Sequence, residues 1–190
     1  MVLTTDRLLL REYLEKDWQA VLAYQQNPEY LKYYEWAERS AEEVRDFVAM
    51  FLENQRKDPR LNFQLAVTLQ TTNQLIGSSG IRMKSRETRE ADIGFEIDPD
   101  FWGQGYGTEA AKAIVRYGFE ELRLHRIWAW CIADNMGTRR VLEKLGMQQE
   151  GRLRDKEFFK GRWWDTLMYA VLDQEWRKEQ DRTFLDEDRA

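Results

Sequence analysis

The chain has 190 residues, 43% of them hydrophobic and 13% aromatic, which is enough for one domain with a sizeable core. A formal net charge of −5 with scattered basic residues argues against direct nucleic-acid binding, and no apolar run reaches the roughly 18 residues of a membrane span. The single cysteine, Cys131, excludes an internal disulfide and, with a single histidine, makes a His/Cys zinc site implausible, so we expect a cytoplasmic protein without a metal.

The first third of the chain predicts one short strand and two helices. "RLLLRE" is strand-like, and a helical run over residues 16–26 is stopped by Pro28. Ser40 and Glu43 form a capping box in front of a second, amphipathic helix. The aromatic segment between the two helices, "YLKYYEW", has no clear period. It is typical either of core packing or of the lining of an acceptor pocket.

The hydrophobic period then changes to that of strands. In "LNFQLAVTL", apolar residues alternate with polar ones, which predicts a strand with one buried face. "QTTNQ" is typical of a hairpin turn and leads into "LIGSSGIRM", and "ADIGFEI" alternates again. We therefore expect three consecutive antiparallel strands.

The second half predicts two helices and three further strands. A long helix follows residue 107, and "RIWAWCIA" is expected to be a strand buried on both sides. Asn135 can N-cap the next helix, and Gly146 lies at its C-terminal cap. The last two strands, near residues 147–158 and 162–172, meet at Lys160-Gly161. These elements predict a single α+β domain with a mixed sheet over residues 1–177, followed by a charged tail, residues 178–190.

Glycines occupy every second position of "WGQGYG", between a strand and a helix. Such a segment presents successive main-chain N–H groups to one concavity, and the helix dipole favours negative charge there, so a pyrophosphate is the expected ligand. A P-loop is excluded because "TEA" follows Gly107. The spacing and the antiparallel strands also disagree with a dinucleotide fingerprint. The alternative that the glycines form a structural turn without a ligand is not excluded at this point.

Two segments carry a resemblance to a known family. "IDPDFWGQGYGTEAA" is similar to the coenzyme-A loop of the GCN5-related N-acetyltransferases (GNAT), and "IADNMGTRRVLEKLGM" resembles that family's second cofactor element. "WGQGYGTEA" and "VLEKLGM" resemble more narrowly the ribosomal-protein N-terminal acetyltransferase (RimJ/RimL) branch. The resemblance covers roughly residues 5–177. It implies a central, twisted, mostly antiparallel sheet of about seven strands with helices on both faces.

The resemblance also implies a cofactor site. Main-chain amides from residues 103–108 bind the pyrophosphate of acetyl-CoA, the backbone around Glu96 pairs with the pantetheine arm, and Asn135 contacts that arm from its other side. Trp102 departs from the Gln or Arg of the general motif, so its side chain cannot make the same hydrogen bonds. The implied cofactor-binding residues are Phe95, Ile97, Trp102, Gly103, Gln104, Gly105, Tyr106, Gly107, Thr108, Asn135 and Thr138.

Acetyl transfer from a thioester to an amine requires removal of a proton from the ammonium and protonation of the leaving thiolate. By resemblance to the ribosomal-protein branch, Glu157 is the first candidate base, with Glu96 second, and Thr138 is the candidate acid for the thiolate. Each has an ordinary alternative, as a solvated strand glutamate or a helix-capping threonine. Leu142 and Trp130 replace a tyrosine acid and a glutamate base of better-known relatives.

The resemblance implies direct acetyl transfer to a primary amine in a ternary complex without an acetyl-enzyme. The branch favours a protein N-terminus as the acceptor, and a polyamine or an aminoglycoside-type amine is the alternative. A coenzyme-A-binding module with little catalysis is a third possibility, because the usual acid and base are replaced. The sequence leaves a monomer and a homodimer equally open.

Overall fold

The computed structural model describes residues 1–178, which form one continuous sheet flanked by helices. The strands are β1 (Val2–Thr4), β2 (Leu8–Glu12), β3 (Asn62–Leu69), β4 (Leu75–Met83), β5 (Glu90–Ile97), β6 (Arg126–Ile132), β7 (Gln148–Phe159) and β8 (Arg162–Leu172). The helices are α1 (Trp18–Gln25), α2 (Pro28–Leu31), α3 (Ala41–Gln55), α4 (Tyr106–Glu120) and α5 (Met136–Lys144), with residues 173–178 also helical. None of the helices within residues 1–178 is long and apolar enough to cross a membrane.

The eight strands have the order β1-β2-β3-β4-β5-β6-β8-β7. Every neighbouring pair is antiparallel except β5 and β6, which are parallel. These two strands pair over only three residues, Glu90 to Asp92 on β5 with Arg126 to Trp128 on β6. The remaining, carboxyl-terminal parts of β5 and β6 are not paired with each other. The sheet therefore opens in its middle, at the ends of two parallel strands.

Helices cover both faces of the sheet. Residues of α4 and α5, such as Ile114 and Leu142, pack on one face in a core that includes Ile93 and Leu167. The other face is covered by α1 and α3, whose buried residues include Val21. The mixed α/β class, the antiparallel character of the sheet and its two helical layers confirm the expected fold.

Several local predictions are confirmed by the hydrogen bonds and backbone angles of the structure. Ser40 and Glu43 form a reciprocal capping box at the start of α3. The turn between β7 and β8 places Lys160 at φ 52° and Gly161 at φ 74°, the left-handed conformation that two-residue hairpin turns require. Gly146, directly after the C-terminal cap of α5, has φ 73°.

Two features differ from the sequence-based expectations. The short strand β1 pairs with β2 at the edge and raises the number of strands from about seven to eight. Strand β6 is not buried on both sides, because 51% of Trp130 is exposed. An alternation of large apolar residues does not distinguish a covered face from an open one. The single domain over residues 1–177 stays a prediction. Of the predicted tail, residues 178–190, only Lys178 is among the described residues.

Candidate active site

The opening between β5 and β6 exposes main-chain groups of β5. The amide of Asp98 donates to the carbonyl of Ile76 in β4, at 2.8 Å. Since alternate residues of an antiparallel strand direct their N–H and C=O groups to opposite sides, those of Phe95 and Ile97 face the opening. Both residues that were predicted to pair with a pantetheine arm thus border the unpaired part of the sheet.

The glycine loop lies directly after β5 and ends at the start of α4. Gly103 has φ 75° and Gly105 φ 85°, so both are in the left-handed region that side-chain-bearing residues seldom adopt. Gly105 is the N-cap residue of α4, and no side chain caps the helix there. The first amides of α4 are therefore available to an anion, as expected for a loop that binds phosphate.

Gly107 occupies the first turn of α4, where space is limited by the neighbouring elements. A Cβ atom at this position would lie 3.6 Å from Ile97 Cγ1 and 3.7 Å from Val141 Cγ2. A longer side chain would extend between the end of β5 and helix α5. Gly107 therefore lies where the start of α4, the end of β5 and helix α5 meet, and the absence of a side chain leaves its backbone accessible at that point.

Arg7 and Glu109 brace the glycine loop against the start of the sheet. The Arg7 Nε donates to Glu109 Oε2 at 2.7 Å, and another guanidinium N–H donates to the carbonyl of Gln104 at 3.0 Å. The hydroxyl of Thr5 donates to Glu109 at 2.6 Å, and the Arg7 guanidinium lies 4.3 Å from the centre of the Tyr106 ring. Although burial opposes ionisation of Glu109, hydrogen bonds from Thr5 and Arg7 and the charge of Arg7 lower its pKa.

Trp102 turns back towards β5. Its indole Nε1 donates to the carbonyl oxygen of Ile97 at 2.6 Å, while 48% of the side chain stays exposed. From the sequence, this side chain was expected only to lack the hydrogen bonds of Gln or Arg. The sequence did not indicate that the indole holds the last carbonyl of β5, a contact that fixes the start of the loop.

Asn135 and Thr138 lie at the end of β6, across the opening from β5. The Asn135 side-chain oxygen accepts a hydrogen bond from the amide of Thr138 at 3.1 Å, so Asn135 is the N-cap of α5 as predicted. The same bond fixes the orientation of the Asn135 amide group. Leu142, which replaces the family's tyrosine, is fully buried in the core.

Glu96 is the centre of a cluster of hydroxyl and amide donors on the face covered by α1 and α3. The hydroxyl of Tyr24 donates to Glu96 Oε1 at 2.6 Å, and Gln25 Nε2 donates to the same oxygen at 3.3 Å. The hydroxyl of Tyr30 donates to Oε2. Burial raises the pKa of Glu96, and the hydrogen bonds from Tyr24, Tyr30 and Gln25 offset this only in part. A carboxyl group with a raised pKa is a stronger base than an exposed one.

The aromatic segment that follows α1 supplies part of this cluster. Burial and the charge of Glu96 raise the pKa of Tyr24 and Tyr30, so their hydroxyls stay protonated and act as donors at neutral pH. Tyr34 stacks on Tyr30 with ring centres 4.8 Å apart, and Trp36 stacks on Tyr34 at the same distance. Sequence reasoning noted these aromatic residues but had no signal that two tyrosine hydroxyls converge on Glu96 from another element.

A scan against protein-family models matches the acetyltransferase (GNAT) domain over residues 7–148. The N-acetyltransferase YnaD of Bacillus subtilis is 38% identical over 177 residues, which is 93% of this chain and 99% of YnaD. The chain belongs to the GNAT acetyltransferase family. It is therefore an N-acetyltransferase by family, as the resemblance of its motifs implied.

Two solved GNAT structures illustrate the range of acceptors around this fold. A RimL ribosomal L7/L12 alpha-N-protein acetyltransferase in complex with coenzyme A has a TM-score of 0.78 and 23% identity, covering 90% of this chain and 98% of RimL. A spermidine N-acetyltransferase from Vibrio cholerae in complex with CoA and spermine has a TM-score of 0.78 and 21% identity, covering 90% of this chain and 99% of that enzyme. At these identities the two likenesses show the GNAT fold and not an acceptor.

Glu157, the first candidate base from the GNAT resemblance, is not among the residues that hydrogen-bond to Glu96. It is on β7 opposite Trp164, and the Lys156 ammonium lies 3.2 Å from its carboxylate. Strands β6 and β8 separate it from β5 within the sheet, although the tip of the hairpin bends back to α2, where Lys160 Nζ donates to the carbonyl of Leu31 at 2.6 Å. The structure thus brings Tyr24 and Tyr30 to Glu96 and places Glu157 on the edge strand.

Two other reactive side chains stand outside the site of this GNAT chain. Cys131 is buried in β6, and burial raises the pKa of its thiol to about 11, so it is protonated at neutral pH. His125 is exposed and precedes β6 at the end of the strand opposite to the opening. Neither residue contacts the glycine loop or Glu96.

Proposed function

We propose that this GNAT chain uses acetyl-CoA as its donor and transfers the acetyl group directly to a primary amine, with a protein or peptide N-terminus as the acceptor. The observation that carries the proposal is the opening between β5 and β6, which ends at the glycine loop. One border offers free main-chain groups and the loop offers an uncapped helix N-terminus. This combination suits a long ligand with an amide-containing arm and a pyrophosphate.

The proposed donor site uses mostly backbone. Amides of residues 103–108 hold the pyrophosphate, because the left-handed glycines turn them towards one point and the α4 dipole adds favourable charge. The N–H and C=O groups of Phe95 and the N–H group of Ile97 pair with the pantetheine arm, because the Ile97 carbonyl already accepts from Trp102. The Asn135 amide contacts the arm from β6. Acetyl-CoA supplies the activated thioester, and the protein positions it against the amine.

We propose Glu96 as the group that receives the proton of the acceptor ammonium. Its pKa is raised by burial, and it adjoins the free main-chain groups of Phe95, so its basicity and its place both suit the role. Glu157 stays a candidate, but 37% of its side chain is exposed and the Lys156 ammonium lies beside it. Both features favour an ordinary solvated carboxylate.

The proposed acid for the leaving thiolate is Thr138. Its amide is already held by the Asn135 cap, which fixes the first turn of α5 at the end of the opening. A hydroxyl there can donate to a sulfur atom that lies between the two strands. The hydroxyl gives its proton to the sulfur as the C–S bond breaks and regains one from the attacking nitrogen, which loses its second proton as the amide forms. The thiol therefore leaves neutral and the hydroxyl is restored.

The names of structural relatives support both classes of acceptor, because one acetylates the N-terminus of a ribosomal protein and another spermidine. A transfer assay with acetyl-CoA and a panel of N-terminal peptides, polyamines and aminoglycosides tests the proposal. We expect turnover on peptides. Turnover on polyamines alone would replace the acceptor class, and cofactor binding without turnover on any amine would favour a non-catalytic coenzyme-A-binding module.

A further inference from the structure

A cavity of about 570 Å³ lies at the carboxyl end of β6, between the first turn of α5, strands β7 and β8 and the segment after α2. Its lining includes the cations Lys32, Arg139, Arg152 and Arg162 and a single carboxylate, that of Asp134. The surplus of positive charge contrasts with the net charge of −5 of the whole chain. The walls of this cavity are therefore suited to an anionic group.

Only part of this positive charge is neutralised by neighbouring carboxylates. Arg162 pairs with Asp134 at 2.7 Å, and Arg152 pairs with Asp165 at 2.5 Å. Within residues 1–178, Lys32 and Arg139 have no carboxylate within ion-pair distance. These two side chains supply the charge that remains for a ligand.

Arg139 also has a buried hydrogen-bond donor, its Nε, that faces no acceptor among the described residues. Whereas the Nε is unpaired there, a hydrogen bond with Tyr169 and the charge of Glu143 act on the rest of the guanidinium and raise its pKa. Buried donors in native proteins are nearly always hydrogen-bonded, so an unpaired one marks a position for an acceptor atom. A carboxylate oxygen of a ligand in the cavity would satisfy it.

The cavity is distinct from the proposed pyrophosphate site. Val141 of α5 lies on the side of Gly107 and the glycine loop. Arg139 is two residues away on the same helix, which places it about 200° around the axis, on the opposite side. Phosphates of the cofactor at the glycine loop therefore do not account for the cations of this cavity.

The cavity adjoins the proposed point of acetyl transfer. Ala133 and Asp134 line it and directly precede Asn135, the residue that faces the opening from β6. The Tyr33 hydroxyl donates to the carbonyl of Asp134 at 2.9 Å, and the Tyr33 ring packs edge-on against Trp164, with ring centres 5.9 Å apart. An acceptor whose amine reaches the opening can place its following residues in the cavity.

We infer that this cavity binds an acidic side chain of the acceptor, so that the preferred acceptors are peptides with Asp or Glu close behind the amino terminus. The inference rests on the proposed function and narrows its acceptor. A polyamine or an aminoglycoside carries ammonium groups and no anionic group, so the charges of Lys32 and Arg139 repel it. Like-charge contacts of this kind exclude wrong partners effectively.

The experiment compares two acceptor peptides that are identical except that Asp residues at positions three to five are replaced by Asn. We expect the wild-type protein to show a kcat/KM about tenfold higher on the Asp peptide, which corresponds to one well-placed charge contact. In the double variant Lys32→Gln/Arg139→Gln, the kcat/KM on the Asp peptide should be only about one- to threefold that on the Asn peptide. The matched control is Lys144→Gln, which removes an exposed cation from the far end of α5 and should keep the ratio.

Binding of the two labelled peptides, measured by fluorescence anisotropy with coenzyme A present, separates this inference from the proposed function. Preferential binding of the Asp peptide that disappears in the double variant supports the cavity even if no amine is acetylated. Equal affinities for the two peptides, or a preference that survives in the double variant, would overturn it. Unchanged thermal unfolding of each variant establishes that the fold is intact.

Discussion

At the opening between β5 and β6, the groups proposed to hold the donor and those proposed to act on the acceptor come from different parts of the polypeptide. The donor side consists of main-chain groups: the left-handed Gly103 and Gly105, the first amides of α4 and the free edge of β5. The acceptor side consists of side chains, with Glu96 held by Tyr24 and Tyr30 from α1 and α2. One side is formed within a single stretch of sequence, whereas the other is assembled from segments about 70 residues apart.

Because of this difference, the donor side and the acceptor side are sensitive to different kinds of substitution. A site made of backbone depends on where side chains are absent, so it is damaged by adding atoms. A site made of side chains depends on specific donors and acceptors, so it is damaged by removing them. The account therefore predicts variants that affect cofactor affinity alone and others that affect turnover alone.

Glu96→Gln is expected to have the largest effect. Loss of a general base typically lowers the rate by about 10²- to 10⁴-fold, so kcat should fall at least a hundredfold while the Kd for acetyl-CoA stays within about twofold. Steady-state kinetics and calorimetry check the two values. Glu157→Gln is the control and should retain most of the activity. If Glu157→Gln gives the large loss and Glu96→Gln does not, their proposed roles are reversed.

The pH dependence of kcat/KM is a second test of Glu96 as the base. A base must be ionised to accept a proton, and burial raises the pKa of Glu96 above its ordinary value of 4.5. The acidic limb of the kcat/KM profile of the wild-type protein should therefore lie above pH 4.5, with activity rising as the pH increases through it. This limb should be absent from the residual activity of Glu96→Gln. A limb that survives in that variant belongs to another group.

Gly105→Ala should weaken cofactor binding without affecting the chemical step. A Cβ in the left-handed region costs about 1 to 2 kcal/mol, and relief of that strain turns the loop amides away from the ligand. We expect the Kd for acetyl-CoA to rise about tenfold while kcat at saturation is retained. Gly146→Ala is the matched control, since Gly146 has a similar φ of 73° and its Cβ would meet no atom within 4 Å. It should lose similar stability and keep the wild-type Kd.

The smallest expected effect is that of Glu109→Gln, which weakens the brace between Arg7 and the loop. The hydrogen bonds and the ion pair are partly exposed, so a loss of about 1 kcal/mol in the free energy of unfolding at pH 7 is expected, with a rise of a few-fold in the Kd for acetyl-CoA. The folded pKa of Glu109 lies below 4.5, so its ionised form stabilises the fold above that pH. As the pH is lowered below 4.5, the difference in the free energy of unfolding between Glu109→Gln and the wild-type protein should therefore decrease to zero in denaturation experiments.

The local conformation of the proposed donor side was largely predictable from the sequence because it is determined by neighbouring residues. The glycine spacing, the Asn135 cap and the alternation of β5 are all encoded within a few residues of where they act. The acceptor side was not predictable in this way. No local pattern links Tyr24 and Tyr30 to Glu96, and the exposure of Trp130 depends on which helices cover β6. The hydrogen bond from Trp102 to Ile97 also required the structure, because tertiary geometry decides where an indole N–H points.

Calorimetric titration of the wild-type protein with acetyl-CoA shows whether the glycine loop and the opening between β5 and β6 bind the cofactor. The account predicts saturable binding with one cofactor per chain, a weaker affinity for Gly105→Ala and an unchanged affinity for Glu96→Gln. Neither ATP nor NAD should bind comparably. The absence of saturable heat with acetyl-CoA up to about 1 mM, the upper end of typical KM values, would contradict the assignment of the opening between β5 and β6 as the donor site.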